Sequence, residues 1–301
     1  MQEFKYADAK WLQQFFGKKI EVGPHGYVKL ARVMGGDEDI VAAARTSYVG
    51  NRNSDERTRE QGRRLLRLLF RERHMTPFEM PVIMLQVKVS MDTWRQWIRH
   101  RTMSVNEYST RYRPAIPEKV TVPADKWRLQ SKDSKQGSAG FFDPIMGAEF
   151  SDQQKMLHDL IDDIYQGRLD AGMAKEQARM DLPVCNYTEA VITMKARNLF
   201  HFLGLRMASD AQQEIREFAD AISEITKAWL PLSHEAFEDY ALFAENFSRQ
   251  EIDVLRQVMQ WLDEMHKSHA HEPVWQTMRA EFADNGMTER EWKALLRKLD
   301  L

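Results

Sequence analysis

The chain has one cysteine, Cys185, in 301 residues. That excludes an internal disulfide and a cysteine-based zinc cluster. No apolar run approaches the length of a bilayer span. The N-terminus, MQEFKYADAKWLQQFFGKK, brings acidic residues early and no clean apolar core after them. It lacks the layout of a secretory signal, and a cytoplasmic protein with no membrane partner is expected. There is no glycine-rich phosphate loop of either standard spacing and no GxSxG elbow. No repeat recurs at a fixed period. Excess charge is also missing: the net charge of -2 argues against a surface that seeks nucleic acid as a whole. What remains is an ordinary globular composition, 43% hydrophobic and 29% charged, long enough for one large domain or two smaller ones.

Two sparse features read as structural. Cys185 lies in Leu182-Pro183-Val184-Cys185-Asn186-Tyr187, with no histidine beside it in sequence. A lone cysteine among apolar residues is more often a small buried hydrophobe than a nucleophile. His266, His269 and His271 precede Pro273 without the acidic base that metalloprotease chemistry requires, so they read as a polar turn, and no metal is expected.

Chemistry is concentrated in Arg99–Tyr112, RHRTMSVNEYSTRY. A packed core cannot absorb so many polar groups without partners. Arginine forks match phosphate oxygens in a bidentate way, and one acid, Glu107, sits among the cations. The segment reads as an anion-binding loop in which Asn106 and Glu107 orient a base, a ribose or a flavin ring. A solvated charge run is the plain alternative. Another is a module that binds single-stranded nucleic acid by stacking on Trp94, Trp97, Tyr108 and Tyr112; the net charge and the repulsive Glu107 speak against it.

The flanks place this loop. Trp11, Leu12, Phe15 and Phe16 form a short helical stripe in an N-terminal accessory segment, 1–25. A strand is expected at 26–33 and a helix at 37–47. Asn53 with Glu56 makes a capping box for a helix running to Phe70, with its arginines solvated. Pro77 disfavours helical geometry at Thr76, so Thr76 is expected to be extended, with His74 and Glu79 on the same turn. A half-buried strand covers 82–89, then a helix 94–100 puts Gln96, Arg99 and His100 on one face. Residues 113–143 are loop-like. Helices follow at 150–173, with Met156, Leu157, Leu160, Ile161 and Ile164 as the apolar stripe, at 197–207 and at 209–229, with a strand at 187–194 between the first two. Arg197 and His201 share a helical face. Beyond 247 the character changes: Ser248–Glu251 caps a helix with Ile252, Leu255, Val258, Met259 and Leu262 inward, and Thr288–Glu291 opens another.

Arg99-His100-Arg101-x-x-Ser104-x-Asn106-Glu107-x-Ser109-x-Arg111-Tyr112 resembles the signature of the flavin-dependent thymidylate synthases, with nine positions fixed. Flanking blocks agree in order. Ala43-Ala44-Arg45-Thr46-Ser47 and His74-x-Thr76-Pro77-Phe78-Glu79 precede the motif. Gln177-Ala178-Arg179-x-x-Leu182-Pro183 and Leu205-Arg206-x-x-x-x-Ala211-Gln212-x-Glu214-Ile215 follow it. The similarity spans about residues 26–247.

The resemblance implies an α/β (α+β) domain with a mixed sheet and long flanking helices, 26–247, followed by a helical appendage, 248–301. It implies a homotetramer with active sites shared between subunits, acting on small molecules and not on nucleic acid. The implied reaction methylates dUMP, with methylenetetrahydrofolate supplying the carbon, NADPH reducing FAD and the flavin supplying hydride. No cysteine nucleophile is needed. Arg206 is the implied catalytic residue, stabilising negative charge at the uracil edge. Gln96, Trp97, Ile98, Arg99, Glu107, Tyr108, Ser109, Thr110, Arg111, Arg179 and Arg206 match the dUMP positions. Ser47, His74, Thr76, Glu79, Arg99, His100, Arg101, Asn106, Glu107, Lys195, Arg197 and His201 match the FAD positions. Met80, Lys195 and Asp210 depart from residues common in the family, which bears on flavin grip or the folate pocket. A diverged flavoprotein that modifies or only binds dUMP is the alternative within the same fold.

Overall fold

The computed structural model describes residues 6–7, 9–46, 58–132, 135–267 and 287–299. The chain divides into two compact units, Met1–Phe243 and Ala244–Leu301.

In the first unit the elements run α1 (Ala9–Gln13), β1 (Lys19–Val22), β2 (Gly26–Met34), α2 (Asp37–Arg45), α3 (Arg59–Arg71), β3 (Val82–Ser90), α4 (Met91–Trp97) and β4 (Ser104–Glu107). They continue with β5 (Arg128–Gln130), β6 (Ser138–Phe141), α5 (Pro144–Asp170), α6 (Lys175–Ala178), β7 (Tyr187–Lys195), α7 (Ala196–Arg206), α8 (Gln213–Trp229) and α9 (Pro231–Phe237). The main sheet has strand order β1-β2-β3-β7-β4, and β5 with β6 form a separate hairpin.

The α+β class holds. Within it, the sheet expected to be mixed is antiparallel in all four ladders. β1 and β2 are joined by a short reversal, the Gly23–His25 turn, which makes neighbours antiparallel; the other three pairs are linked by long connections and are antiparallel by their register. β1 lies within the stretch read as accessory, so the sheet reaches back to Lys19.

Alternation drives the core. On β3, Ile83, Leu85, Val87 and Val89 are fully buried, and across the full-length pairing β7 buries Ala190, Ile192 and Met194. This is the period-two pattern of a sheet with helices on one face. The long helix α8 buries Ile215, Phe218, Ala219, Ile222 and Ile225, a broad apolar stripe. Phe70, Phe78, Phe200 and Phe237 meet largely edge-on, with centroids 5.1–6.3 Å apart.

Several local expectations are corrected. The box at Asn53–Glu56 lies outside the described residues; α3 is capped by Thr58, whose hydroxyl accepts from the Gln61 N–H. Its arginines are not simply solvated: Arg63 and Arg67 both pair with Glu235 of α9. Thr76 is not extended but opens a 3₁₀ turn, Thr76–Glu79. Pro77 falls at the start of that turn, where its missing N–H costs nothing. The helix expected at 94–100 ends at Trp97, so Arg99 and His100 lie on the turn beyond it rather than on its face. Ser104–Glu107 is not loop but the edge strand β4, laid against β7 because β7 has a free ladder side there. The loop-like stretch 113–143 contains the β5–β6 hairpin.

On α5, Met156, Leu157, Leu160 and Ile164 are exposed; Gly147, Ser151, His158 and Tyr165 are the buried residues. The apolar stripe of that helix therefore points outward. Cys185 is half-buried with its Sγ 3.2 Å from His158 Nε2, a neighbour invisible in sequence; burial pushes its thiol up, which leaves it un-ionised.

The second unit contains α10 (Arg249–Lys267) and α11 (Glu289–Leu299). Both open on reciprocal caps: Ser248 N–H donates to Glu251 Oε2 at 2.6 Å, and Thr288 N–H to Glu291 Oε2 at 2.8 Å. The stripe read as inward on α10 is not buried: Val258 and Leu262 are exposed, and Ile252, Leu255 and Met259 are half-buried. The side chains of His266, His269 and His271 lie outside the described residues.

Candidate active site

β3 and β7 run antiparallel, and each passes directly into a helix. α4 leaves from the Ser90 end and α7 from the Lys195 end, so α7 runs back along the sheet. Its last residue, Arg206, therefore arrives at the turn that follows α4. There the Arg206 Nε–H donates to His100 Nε2 at 2.9 Å and Nη2 to the Gln96 carbonyl at 3.4 Å. Burial lowers the guanidinium pKa, but an arginine stays protonated in the working range. Burial first, then the charge of Arg206 and the neighbouring His201, pushes His100 down to about 4. The imidazole is neutral near pH 7.

Glu107 ends β4 with both carboxylate oxygens engaged. Trp94 Nε1–H donates to one at 2.9 Å and the Thr188 hydroxyl to the other at 2.8 Å. The acid is thus tied to α4 and β7 while remaining on the surface. Gln96 Nε2 donates to Gln212 Oε1 at the start of α8. The next residues close against the turn after α5. Arg179 donates to the Thr110 hydroxyl at 2.7 Å, Arg111 pairs with Glu176 at 3.1 Å, and Lys175 donates to the Tyr112 carbonyl. Ser109 Oγ accepts from the Arg111 N–H, and Tyr108 OH donates to the Pro114 carbonyl. No general base contacts Ser109 among the described residues, which fits a binding role rather than a nucleophile.

A second group gathers at the opposite end of β7. Glu79 accepts from Lys195 Nζ at 2.9 Å and from Arg197 at 2.6 Å. These two cations hold its carboxyl below the usual range. His201 packs edge-on to His100, centroids 5.9 Å apart. Ser104 and Asn106 are exposed on β4, His74 and Thr76 around the 3₁₀ turn, and Ile98, Arg99 and Arg101 beyond α4. Neither Arg99 nor Arg101 has a side-chain partner among the described residues. Ser47 lies outside the described residues. Of the departures, Lys195 joins the Glu79 pair, whereas Met80 and Asp210 are exposed.

The donor set fits a large dianionic cofactor with a polar ring edge. Four side-chain cations, Arg99, Arg101, Lys195 and Arg197, are exposed, as are His74 and Asn106. Sequence reasoning missed Trp94, Thr188 and Gln212 as supports. Thr188 is identifiable only from strand register, and Trp94 only once its indole is seen to reach Glu107. Trp94 and Trp97 are 1% and 0% exposed, which removes them as a stacking platform for nucleic acid.

The fold and these contacts define a class: an α+β protein with an arginine-lined surface, in which the half-buried Arg206 and Arg179 are held by neighbouring side chains and carbonyls. A family model described as thymidylate synthase complementing protein matches residues 29–232. The flavin-dependent thymidylate synthase of Thermus thermophilus is 40% identical over 237 residues, 79% of this chain and 84% of the relative. That of Rickettsia typhi is 35% identical over 309 residues and covers 95% of both chains, too much to leave out the C-terminal unit. A solved UMP/dUMP methylase, PolB from Streptomyces cacaoi bound with 5-Br dUMP, superposes with a TM-score of 0.67 at 31% identity. It covers 75% of this chain and 100% of its own. The chain belongs to the flavin-dependent thymidylate synthase family.

Proposed function

We propose that this protein methylates dUMP to dTMP, with methylenetetrahydrofolate as carbon donor and NADPH as reductant through bound FAD. The observation that carries the reading is the meeting of Arg206, from the end of α7, with the cationic loop that follows α4. FAD, when bound and reduced, supplies the hydride that completes the methyl group. The protein's own groups bind and orient. Arg206, charged and half-buried, stabilises negative charge developing on the uracil edge. Arg99, Arg111 and Arg179 hold the nucleotide phosphate, with Gln96, Ser109, Thr110 and the backbone around Trp97, Ile98 and Tyr108 beside them. Glu107, anchored by Trp94 and Thr188, presents a fixed acid between nucleotide and flavin. His74, Thr76, Glu79, His100, Arg101, Asn106, Lys195, Arg197 and His201, together with Ser47, form the flavin set.

One further feature supports assembly into a homotetramer with shared sites. The outward stripe Met156, Leu157, Leu160 and Ile164 on α5 is the kind of apolar surface that self-association covers. We place the catalytic body at 26–247, with β1 attached to its sheet, and a helical appendage at 248–301. Among the described residues no helix is long and apolar enough to cross a membrane, in keeping with a cytoplasmic enzyme.

Purified protein should be yellow and bleach with NADPH when dUMP is present. Tritium release from C5-labelled dUMP should require methylenetetrahydrofolate. Colourless protein that takes up no FAD overturns the reading. Because the Streptomyces neighbour is a UMP/dUMP methylase, the same assay on labelled UMP decides the second reading, in which the ribonucleotide is also a substrate.

A further inference from the structure

The middle residue of the Arg99-His100-Arg101 triplet behaves unlike its neighbours. Both arginines are exposed, whereas the His100 ring turns inward. It packs edge-on to the buried Phe202, centroids 4.9 Å apart, and Phe202 stacks on the fully buried Trp97 at 5.1 Å. The His100 N–H donates to the Trp97 carbonyl at 3.0 Å. Ring and backbone are therefore both fixed to the core.

The hydrogen bond to Arg206 has one allowed sense. A guanidinium Nε–H only donates, so His100 Nε2 accepts and its proton sits on Nδ1. A protonated ring would set donor against donor. With Nε taken by His100 and one Nη2 hydrogen by the Gln96 carbonyl, the rotation of the guanidinium plane is set by the protein, and the remaining Nη hydrogens are left for a ligand.

We infer that His100 is a positioning residue for Arg206: its neutral Nε2 fixes the guanidinium plane in the orientation that meets the pyrimidine. This deepens the proposed function and rests on it for the identity of the ligand, but not for the contact itself. An arginine with free torsions reaches the same place part of the time only, and preorganised donors are worth more than mobile ones in catalysis.

The test uses full-length protein with FAD occupancy read from its absorbance. His100→Leu keeps the volume against Phe202 and removes the acceptor. His100→Gln restores a carbonyl acceptor. We expect His100→Leu to lower kcat by about 30-fold at full FAD occupancy, with KM for dUMP changed by about 3-fold or less. His100→Gln should regain most of the loss. On an Arg206→Lys background, which has no Nε–H to be held, His100→Leu should cost about 2-fold or less, a non-additivity expected of coupled residues. Equal losses on both backgrounds, or a loss explained wholly by missing FAD, overturn the inference. A readout without turnover separates it from the function: modification of Arg206 by phenylglyoxal, followed by peptide mass spectrometry. The rate should rise several-fold in His100→Leu and return in His100→Gln. An unchanged rate refutes the positioning role, whereas inactive wild-type protein showing the faster modification in His100→Leu refutes only the proposed reaction.

Discussion

The supporting half and the receiving half of this site are built on opposite terms. Glu107, His100, Arg206 and Gln96 each have a defined partner inside the fold. Arg99, Arg101, Asn106 and His74 stand exposed. The first group is held by the protein itself, and in the proposed function the second meets the ligands. The difference shows where mutations should register: in catalysis and stability for the tied groups, in affinity and salt dependence for the open ones.

The hardest test of that division is Arg206→Ala. Turnover of dUMP should fall by about 10³-fold or more while FAD stays bound, because a charge-stabilising donor is lost from a preorganised position. Near-normal activity would remove Arg206 from the mechanism.

Glu107→Ala comes next. It leaves the Trp94 indole N–H and the Thr188 hydroxyl without their acceptor, at about 1–3 kcal/mol. Chemical denaturation of the variant should show that loss; a stability equal to wild type would mean that Glu107 serves ligands alone.

Arg99→Ala and Arg101→Ala probe the open half. Each should weaken ligand binding by about 10-fold at low salt, with less effect as salt screens the wild-type contact. Their melting temperatures should match wild type. A large drop in melting temperature would place them in the tied half.

Acid should loosen the tied half. His100 has a pKa lowered from 6.5 to about 4 in the folded protein. The unfolded chain therefore binds the extra proton between those values, and its contribution to stability is lost as pH falls through that window. The slope is at most about 1.4 kcal/mol per pH unit, less for a half-exposed ring. Comparing denaturation of wild type with His100→Gln across pH 4–7 isolates it, since the variant cannot take up that proton.

The smallest effect is expected beside the receiving half. Arg73 ends α3 with φ +57, and the His74 N–H bonds back to the Leu69 carbonyl, a helix stop that favours glycine. Arg73→Gly should relieve the left-handed backbone and stabilise by up to about 1 kcal/mol, after allowing for the flexibility glycine adds to the unfolded chain. A fall in melting temperature would show that the arginine side chain contributes more than the strain costs.

Much of this architecture is legible in the order of the residues. Alternation over 82–89 marks one central strand, because one buried sheet face imposes a period of two, and the β-branched residues of 187–194 mark the other. The caps at Ser248 and Thr288 are readable because they depend on residues three apart. The dense polar stretch is readable as a site because polar groups at that density need partners or ligands. The failures are of another kind. Helix α4 ends three residues earlier than its polar pattern suggests, and β4 has no buried face to leave an alternation. The stripe on α5 is real, but periodicity locates a stripe without saying what covers it.

Sequence alone determined the chemistry on offer: three arginines, a histidine and an acid in one short segment, a single cysteine, and strands strong enough to carry them. Tertiary structure decided their division of labour. Only the antiparallel pairing of β3 with β7 sends α7 back toward the turn after α4, joining Arg206 to His100 across 106 positions. Only the register of β4 on β7 places Thr188 under Glu107. Local spacing sets which side chains share a face, but contacts between distant segments are settled by which strands pair and where each helix ends.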